Sequence, residues 1–264
     1  MDKLDLLKEM IRDKGRVAVA FSGGVDSAFL LKVTHDVLGD DMAALTVSGV
    51  NFPSREQKSA VDLCVREGIR FIRAEADLLS FEPFYSNPKD RCYHCKKKIF
   101  SLIRQRAEEE GFDTLFDGTN LDDTKDYRPG IKALEEMGVI SPLKDLGFTK
   151  DEIRSYSRIL GLPGYDRSSS ACLASRIPYG ETITSEKLER IDAAEVFIRD
   201  MGIDVCRVRS HGDVARIEVQ GEGTGKVLSE KDRIVKMFKD LGFSYVTLDL
   251  EGFRSGSMNE VIDR

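Results

Sequence analysis

Six consecutive residues, Ser22, Gly23, Gly24, Val25, Asp26 and Ser27, have the types and spacing to hold an anion. Gly23 and Gly24 carry no Cβ to keep a ligand off the main chain, so the N–H groups from Ser22 to Ser27 can converge on a phosphate at the positive end of a helix. Asp26 and Ser27 read as the cap of that helix. The loop lacks the lysine and the spacing of a Walker A loop, and it is not G-x-G-x-x-G. A plain glycine turn is the alternative, against which strand, loop and helix cap all agree.

Sulfur chemistry is the second possibility. Of the five cysteines, Cys92 and Cys95 form C-Y-H-C just before an expected helix, whose positive end, with Lys96, Lys97 and Lys98, favours thiolate. Two thiolates at this spacing suit a redox pair, a metal or a cluster, and His94 between them offers a zinc ligand. Cys172 is the other cysteine in a polar loop, whereas Cys64 on an apolar helix face and Cys206 in a strand read as core. The three lysines read as a solvated first turn, with Lys96 the candidate for reaching phosphates or an activated substrate.

Acidic and basic residues supply a third set. Asp117, Asn120, Asp122 and Asp123 in DGTNLDD suit either a turn or a nucleotide and magnesium site. Arg207 and Arg209 share one face of a strand by the period of two; with Arg254 and Ser255 they would make a phosphate cradle, or else belong to an exposed strand. Glu195 and Glu218 are ordinary charges unless their side chains converge on a divalent ion. His35, in the helix after the glycine loop, and His211, in a hairpin turn, read as structural.

The elements that must position these residues follow from periodicity. RVAVAF reads as a buried strand feeding the glycine loop and the helix AFLLKVTHDVL, and strands are expected at Met42–Gly49, in IRFIRAEAD and at Thr114–Asp123. Helices are expected from Pro53-Ser54 to Gly68, over roughly Cys95–Gly111, and in TKDEIRSYSRIL, where Thr149 and Glu152 form a capping box. This alternation argues for a parallel α/β sheet covered on both faces, with ligands at the carboxyl ends of its strands. A smaller α+β unit follows, with helix Ser185–Met201, strands Val205–Arg209 and Ala215–Gln220, helix Gly225–Leu241 and strand Tyr245–Leu250. The division expected is residues 1–166 and 167–264, the second beginning with the linker that carries Cys172.

A chain of 264 residues with 41% apolar side chains has enough material for a core, and a net charge of -6 does not suit a protein held on nucleic-acid phosphates. No apolar run is long enough for a membrane span, and the charged amphipathic N-terminus does not read as a signal peptide, so a cytoplasmic location is expected.

SGGVDS resembles the PP-loop of the ATP pyrophosphatases, which cleave ATP between its α and β phosphates. Together with RCYHCK, DGTN-x-DD, ACLASRIPYG, VRSHG-x-x-ARIEV and TLDLEGFRSGSMNE, it resembles the LarE family over nearly the whole chain. That resemblance implies an ATP-dependent sulfur transferase that adenylates a carboxylate of pyridinium-3,5-biscarboxylic acid mononucleotide and converts it to a thiocarboxylate, for the nickel-pincer nucleotide of lactate racemase. By motif, Ser22, Gly23, Gly24, Asp26, Ser27 and Asp123 would bind ATP and Mg2+, and Cys172 would handle sulfur, with Asp26 and Lys96 also catalytic. Arg207, Arg209, Arg254 and Ser255 would bind the substrate phosphate near a subunit interface, and Glu195 and Glu218 a divalent ion. Some members have only the Cys172 equivalent and sacrifice its sulfur. With Cys92 and Cys95 added, this chain resembles the members that hold a 4Fe-4S cluster and draw on sulfide or another sulfur donor. A homo-oligomer is implied. The competing readings are a tRNA-thiolating PP-loop enzyme and a non-catalytic nucleotide or zinc protein.

Overall fold

The computed structural model describes residues 2–125, 129–166, 171–254 and 257. In chain order the elements are α1 (Lys3–Lys14), β1 (Val17–Ala20), α2 (Val25–Leu38), β2 (Met42–Ser48), α3 (Ser54–Glu67), β3 (Phe71–Glu75), α4 (Glu82–Tyr85), α5 (Arg91–Glu109) and β4 (Thr114–Phe116). Then come α6 (Pro129–Glu136), α7 (Pro142–Asp145), α8 (Lys150–Ile159), α9 (Ser185–Asp200), β5 (Cys206–His211), β6 (Val214–Val219), α10 (Gly223–Ser229), α11 (Lys231–Asp240) and β7 (Tyr245–Leu248). None of the described helices is long and apolar enough to cross a membrane.

The chain forms two compact units: Met1–Gly49, Ser54–Asp77 and Asp90–Ser170 make the first, and Val50–Pro53, Leu78–Lys89 and Ala171–Arg264 the second. A single cut at residue 166 misses the two short segments that join the second unit. Their allegiance is set by backbone bonds: Leu173 N–H donates to Asn51 O at 2.8 Å, Gly180 N–H to Asn87 O at 2.9 Å and Ile183 N–H to Tyr85 O at 2.8 Å. Asn87, at φ 59°, also donates its amide to the carbonyls of Pro178 and Glu181.

The first unit is α/β, with an all-parallel sheet in the order β3-β2-β1-β4. β1 is VAVA, buried at all four positions, as an interior parallel strand covered on both faces requires. α2 buries Phe29, Leu30, Leu31 and Val33 in the same core as Val17, Val19 and Phe116. α8 carries the expected capping box, and Lys3 of α1 bonds both Glu152 and the carbonyl of Gly147. β4 is shorter than the expected Thr114–Asp123, because Asp117 leaves the sheet and Leu121–Lys125 turns as a 3-10 helix.

The second unit holds the sheet β5-β6-β7, a β5–β6 hairpin with β7 parallel to β6, around a core that includes Ile198, Val208, Ile217, Val219, Phe238 and Phe243. The single helix expected over Gly225–Leu241 is divided at Glu230. There the Ser229 hydroxyl bonds back to Lys226 O, and such a bond competes with helix continuation.

Candidate active site

The chain leaves the sheet just past β1, after Phe21 N–H has donated to Leu45 O at 2.8 Å and Phe21 O has accepted the Thr46 hydroxyl at 2.6 Å. Gly23 is demanded twice, by its φ of +81° and by Glu56 O, which would lie 2.6 Å from a Cβ. Ser22 Oγ and Ser27 Oγ lie 3.1 Å apart, and Ser27 Oγ donates to Gly24 O at 3.1 Å, closing the loop on itself. The cap lies ahead of the expected Asp26-Ser27. Gly24 is the N-cap, extended and without a side-chain bond, while Val25, Asp26 and Ser27 form the first turn of α2. Nothing from a cap side chain therefore competes for the first-turn N–H groups that an anion would take.

β1 lies between β2 and β4, so the connections leaving β1 and β4 diverge at the switch point where such sheets bind ligands. Gly118, after β4, sits so close to the loop that a Cβ would be 2.8 Å from Ser27 N. Asp117 is spent on structure: its carboxylate accepts the hydroxyls of Thr119 and Ser141, both at 2.5 Å. Asp122 likewise accepts Lys150 N–H at 2.8 Å. Asn120 and Asp123 bond reciprocally at 3.2 Å, and Asp123 pairs with Lys150 at 3.2 Å. Burial, then the charge of Asp123, push the Asp26 carboxyl up to about 6, against the opposing pull of Lys150, Asn120 and Arg154. A carboxylate opposed by a neighbouring one beside the SGGVDS loop has the chemistry to suit a magnesium ion, which takes few protein oxygens and completes its shell with phosphate and water. Gly118, Lys150 and Arg154 were not singled out by sequence reasoning; DGTN was a signal for the first, but nothing in α8 marks the other two.

Cys92 and Cys95 lie inside α5, which begins at Arg91, and not ahead of it. One turn apart, they share a helix side at its positive end. His94 is engaged by Asp90 at 3.1 Å, which removes it from the simplest zinc arrangement. Tyr93 and Lys97 both hold Glu136 of α6, at 2.7 and 2.8 Å. Lys96 runs past Gly130, where a Cβ would meet its Cγ at 2.9 Å, and its ammonium lies 4.8 Å from the centre of the Phe100 ring. No cysteine is in a disulfide; Cys64 and Cys206 are buried, and burial pushes both thiols up to about 12, while Cys92, Cys95 and Cys172 reach solvent. Among the described residues no three His, Cys, Asp or Glu side chains are grouped as around a metal ion.

In the second unit Cys172 precedes a 3-10 turn, Leu173–Arg176, and its carbonyl accepts from Ser175 N–H, the Ser175 hydroxyl and Arg176 Nη1. Arg176 is fully buried and grips Glu195 with two bonds, at 2.9 and 3.1 Å. Glu195 also accepts Arg199 at 2.7 Å and Val208 N–H at 3.1 Å, and these arginines hold its carboxyl down at about 2 despite burial. Glu218 accepts two bonds from Arg209, one from Arg216 and one from Ser257. The two glutamates expected to ligate a divalent ion are thus saturated with cationic donors, and a metal there would have to displace guanidinium groups; the donor set does not fit one.

The arginine trio separates in the same way. Arg209 is locked to Glu218, and Arg254 pairs with Glu251 at 2.8 Å. Arg207, 4% exposed, lies over the Phe253 ring, and burial and the charge of Arg176 bring its guanidinium down to about 10. Its Nη1 also donates to Cys206 O at 2.8 Å. Ser255 lies outside the described residues; Ser257, which was not anticipated, bonds Arg209 and Glu218.

The parallel sheet and the SGGVDS loop at its switch point define the class: a PP-loop, ATP-using protein. No protein-family profile matches the chain. It is 39% identical to an uncharacterised protein of Synechocystis sp. over 99% of this chain and 98% of that one. It is 38% identical to a pyridinium-3,5-bisthiocarboxylic acid mononucleotide synthase of Lactiplantibacillus plantarum over 96% of this chain and 92% of that one. A glutamine-hydrolysing GMP synthase subunit of Archaeoglobus fulgidus is 26% identical over 74% of this chain and 67% of its own. The chain belongs to the LarE family of ATP-dependent sulfurtransferases.

Proposed function

We propose that this enzyme adenylates a carboxylate of pyridinium-3,5-biscarboxylic acid mononucleotide and replaces one of its oxygens with sulfur. The observation that carries the reading is the pairing of a phosphate loop at a sheet switch point with three solvent-reaching thiols, in a chain that buries its other two cysteines. A carboxylate resists nucleophiles, so its oxygen first attacks the α phosphorus, the bond to the β-phosphate oxygen breaks, and pyrophosphate leaves. A sulfur nucleophile then attacks the acyl carbon and AMP departs. The N–H groups of the loop and the first turn of α2 hold the phosphates, and Asp26 with Asp123 would hold the magnesium ion that neutralises them. Arg207 receives the substrate phosphate, with Arg209 and Arg254 supporting its loop, and Lys96 stands by for the charge that develops on the adenylate.

Cys92, Cys95 and Cys172 are our candidates for three ligands of a 4Fe-4S cluster. Such a cluster, when bound, supplies an iron with an open position for exchangeable hydrosulfide, which permits repeated turnover. The chain's own contribution is the thiolates of Cys92 and Cys95, one helical turn apart on α5, and that of Cys172 ahead of its 3-10 turn. Anaerobic reconstitution with iron and sulfide, followed by product analysis, tests both halves. The expected result is AMP and pyrophosphate, repeated turnover, and parallel loss of iron and activity in Cys92→Ser, Cys95→Ser and Cys172→Ser. ADP and phosphate as products would overturn the adenylation. A wild-type chain that loses one sulfur's mass after a single turnover, with dehydroalanine at position 172, would replace the cluster with the sacrificial route.

A further inference from the structure

Asn51 lies beyond the end of β2 and is 1% exposed. Its carbonyl accepts Leu173 N–H at 2.8 Å, and its side-chain Nδ2 donates to Cys172 Sγ at 3.5 Å. Its Oδ1 is buried with no hydrogen-bond partner among the described residues. A buried amide retained only for folding would have both ends satisfied, because an unmade bond to a buried polar atom costs more than the made one returns. Here one end is on the sulfur and the other is left over. The main chain on either side needs no help from that amide, since Arg176 holds the carbonyls of Ala171 and Cys172 at 2.6 and 2.9 Å and is itself clamped by Glu195.

We propose that Asn51 is a positioning residue of the sulfur centre: its Nδ2–H engages a lone pair of Cys172 Sγ and selects the direction in which the sulfur points. The inference rests on the reading of Cys172 as the sulfur-handling residue. It extends that reading to a residue in a segment that the sequence places 121 positions away. Whether Cys172 ligates iron or surrenders its sulfur, the same N–H orients the atom.

The test uses Asn51→Leu, which keeps the shape of the side chain and removes both its donor and its orphaned acceptor, with Asn51→Ala as a second variant. Full-length metal-free protein is alkylated with iodoacetamide at about pH 10, above the ordinary range of a cysteine thiol, and the rates at Cys92, Cys95 and Cys172 are read by peptide mass. Losing one hydrogen bond to sulfur is expected to speed alkylation of Cys172 about fivefold, with Cys92 and Cys95 unchanged. The melting temperature of Asn51→Leu should equal or exceed that of wild type, and kcat should fall with the KM for ATP unmoved. A wild-type alkylation rate at Cys172, or a lowered melting temperature accompanying the loss of kcat, overturns the proposal and makes Asn51 structural. Cys172→Ser run alongside separates the two failures: full turnover there defeats the sulfur role of Cys172 itself, whatever Asn51 does.

Discussion

At the scale of single residues, Asp26 costs the folded chain stability. Its carboxyl titrates at about 6 in the folded chain against 3.8 for an unperturbed aspartate, because burial and Asp123 oppose its charge. The folded state therefore holds this proton more tightly than the unfolded one. Its contribution to stability falls as pH rises through that window and is fully lost above it, a cost of about 1–3 kcal/mol near neutral pH. Asp26→Asn should raise the melting temperature of nucleotide-free protein at pH 7 and lower ATP cleavage about a hundredfold. Magnesium with a nucleotide should then stabilise wild type more than the variant. Calorimetry with and without the ligand checks both, and a variant less stable than wild type would show that the Asp26 charge is already compensated in the resting protein.

At the scale of elements, the turn after β4 matters more than the strand. Gly118 makes room for Ser27 N–H, and Ala at that position would drive a methyl to within 2.8 Å of the backbone nitrogen. The loop, not the sheet, must yield. Gly118→Ala is expected to keep its far-ultraviolet circular dichroism and raise the KM for ATP by about tenfold to a hundredfold, since displacing a binding group by an ångström has costs of this order. An unchanged KM would place the phosphates away from the β1–β4 junction. The same scale explains the CxxC. Beginning α5 at Arg91 fixes both thiols on one helix face, and the Tyr93–Lys97–Glu136 contacts turn the opposite residues toward α6.

At the scale of the whole molecule, the second unit depends on buried charge. Glu195 is fully buried between Arg176 and Arg199, with Arg207 nearby. Its carboxyl is held down at about 2 against 4.5 for an unperturbed glutamate, so the stability it contributes is complete above that reference value and is lost as pH falls toward the folded one. Glu195→Gln leaves buried guanidiniums uncompensated and should cost about 3–5 kcal/mol at neutral pH. Denaturant titrations repeated from about pH 7 down to about pH 3 should show this gap narrowing, because Glu195 takes up a proton in the unfolded chain while the folded one keeps it ionised. A gap independent of pH would mean that the carboxylate acts through packing alone.

Local features are legible in the amino-acid order alone: buried parallel strands, the glycine loop, the capping box of α8, the two core cysteines and the family motifs. Each is written in neighbouring residues, whose periodicity and backbone freedom act over a few ångströms. Tertiary structure decided the partners. The types of Glu195 and Glu218 permit a metal or an ion pair, and only the convergence of Arg176, Arg199, Arg209 and Arg216 makes them counter-ions. Asp117 and Asp123 stand in one motif, yet one is consumed by Thr119 and Ser141 while the other faces Asp26. Asn51 carries no motif at all. Its place beside Cys172 arises because a short segment after β2 joins the second unit through a backbone bond, and electrostatics and hydrogen bonding depend on distance in space, which sequence separation does not encode.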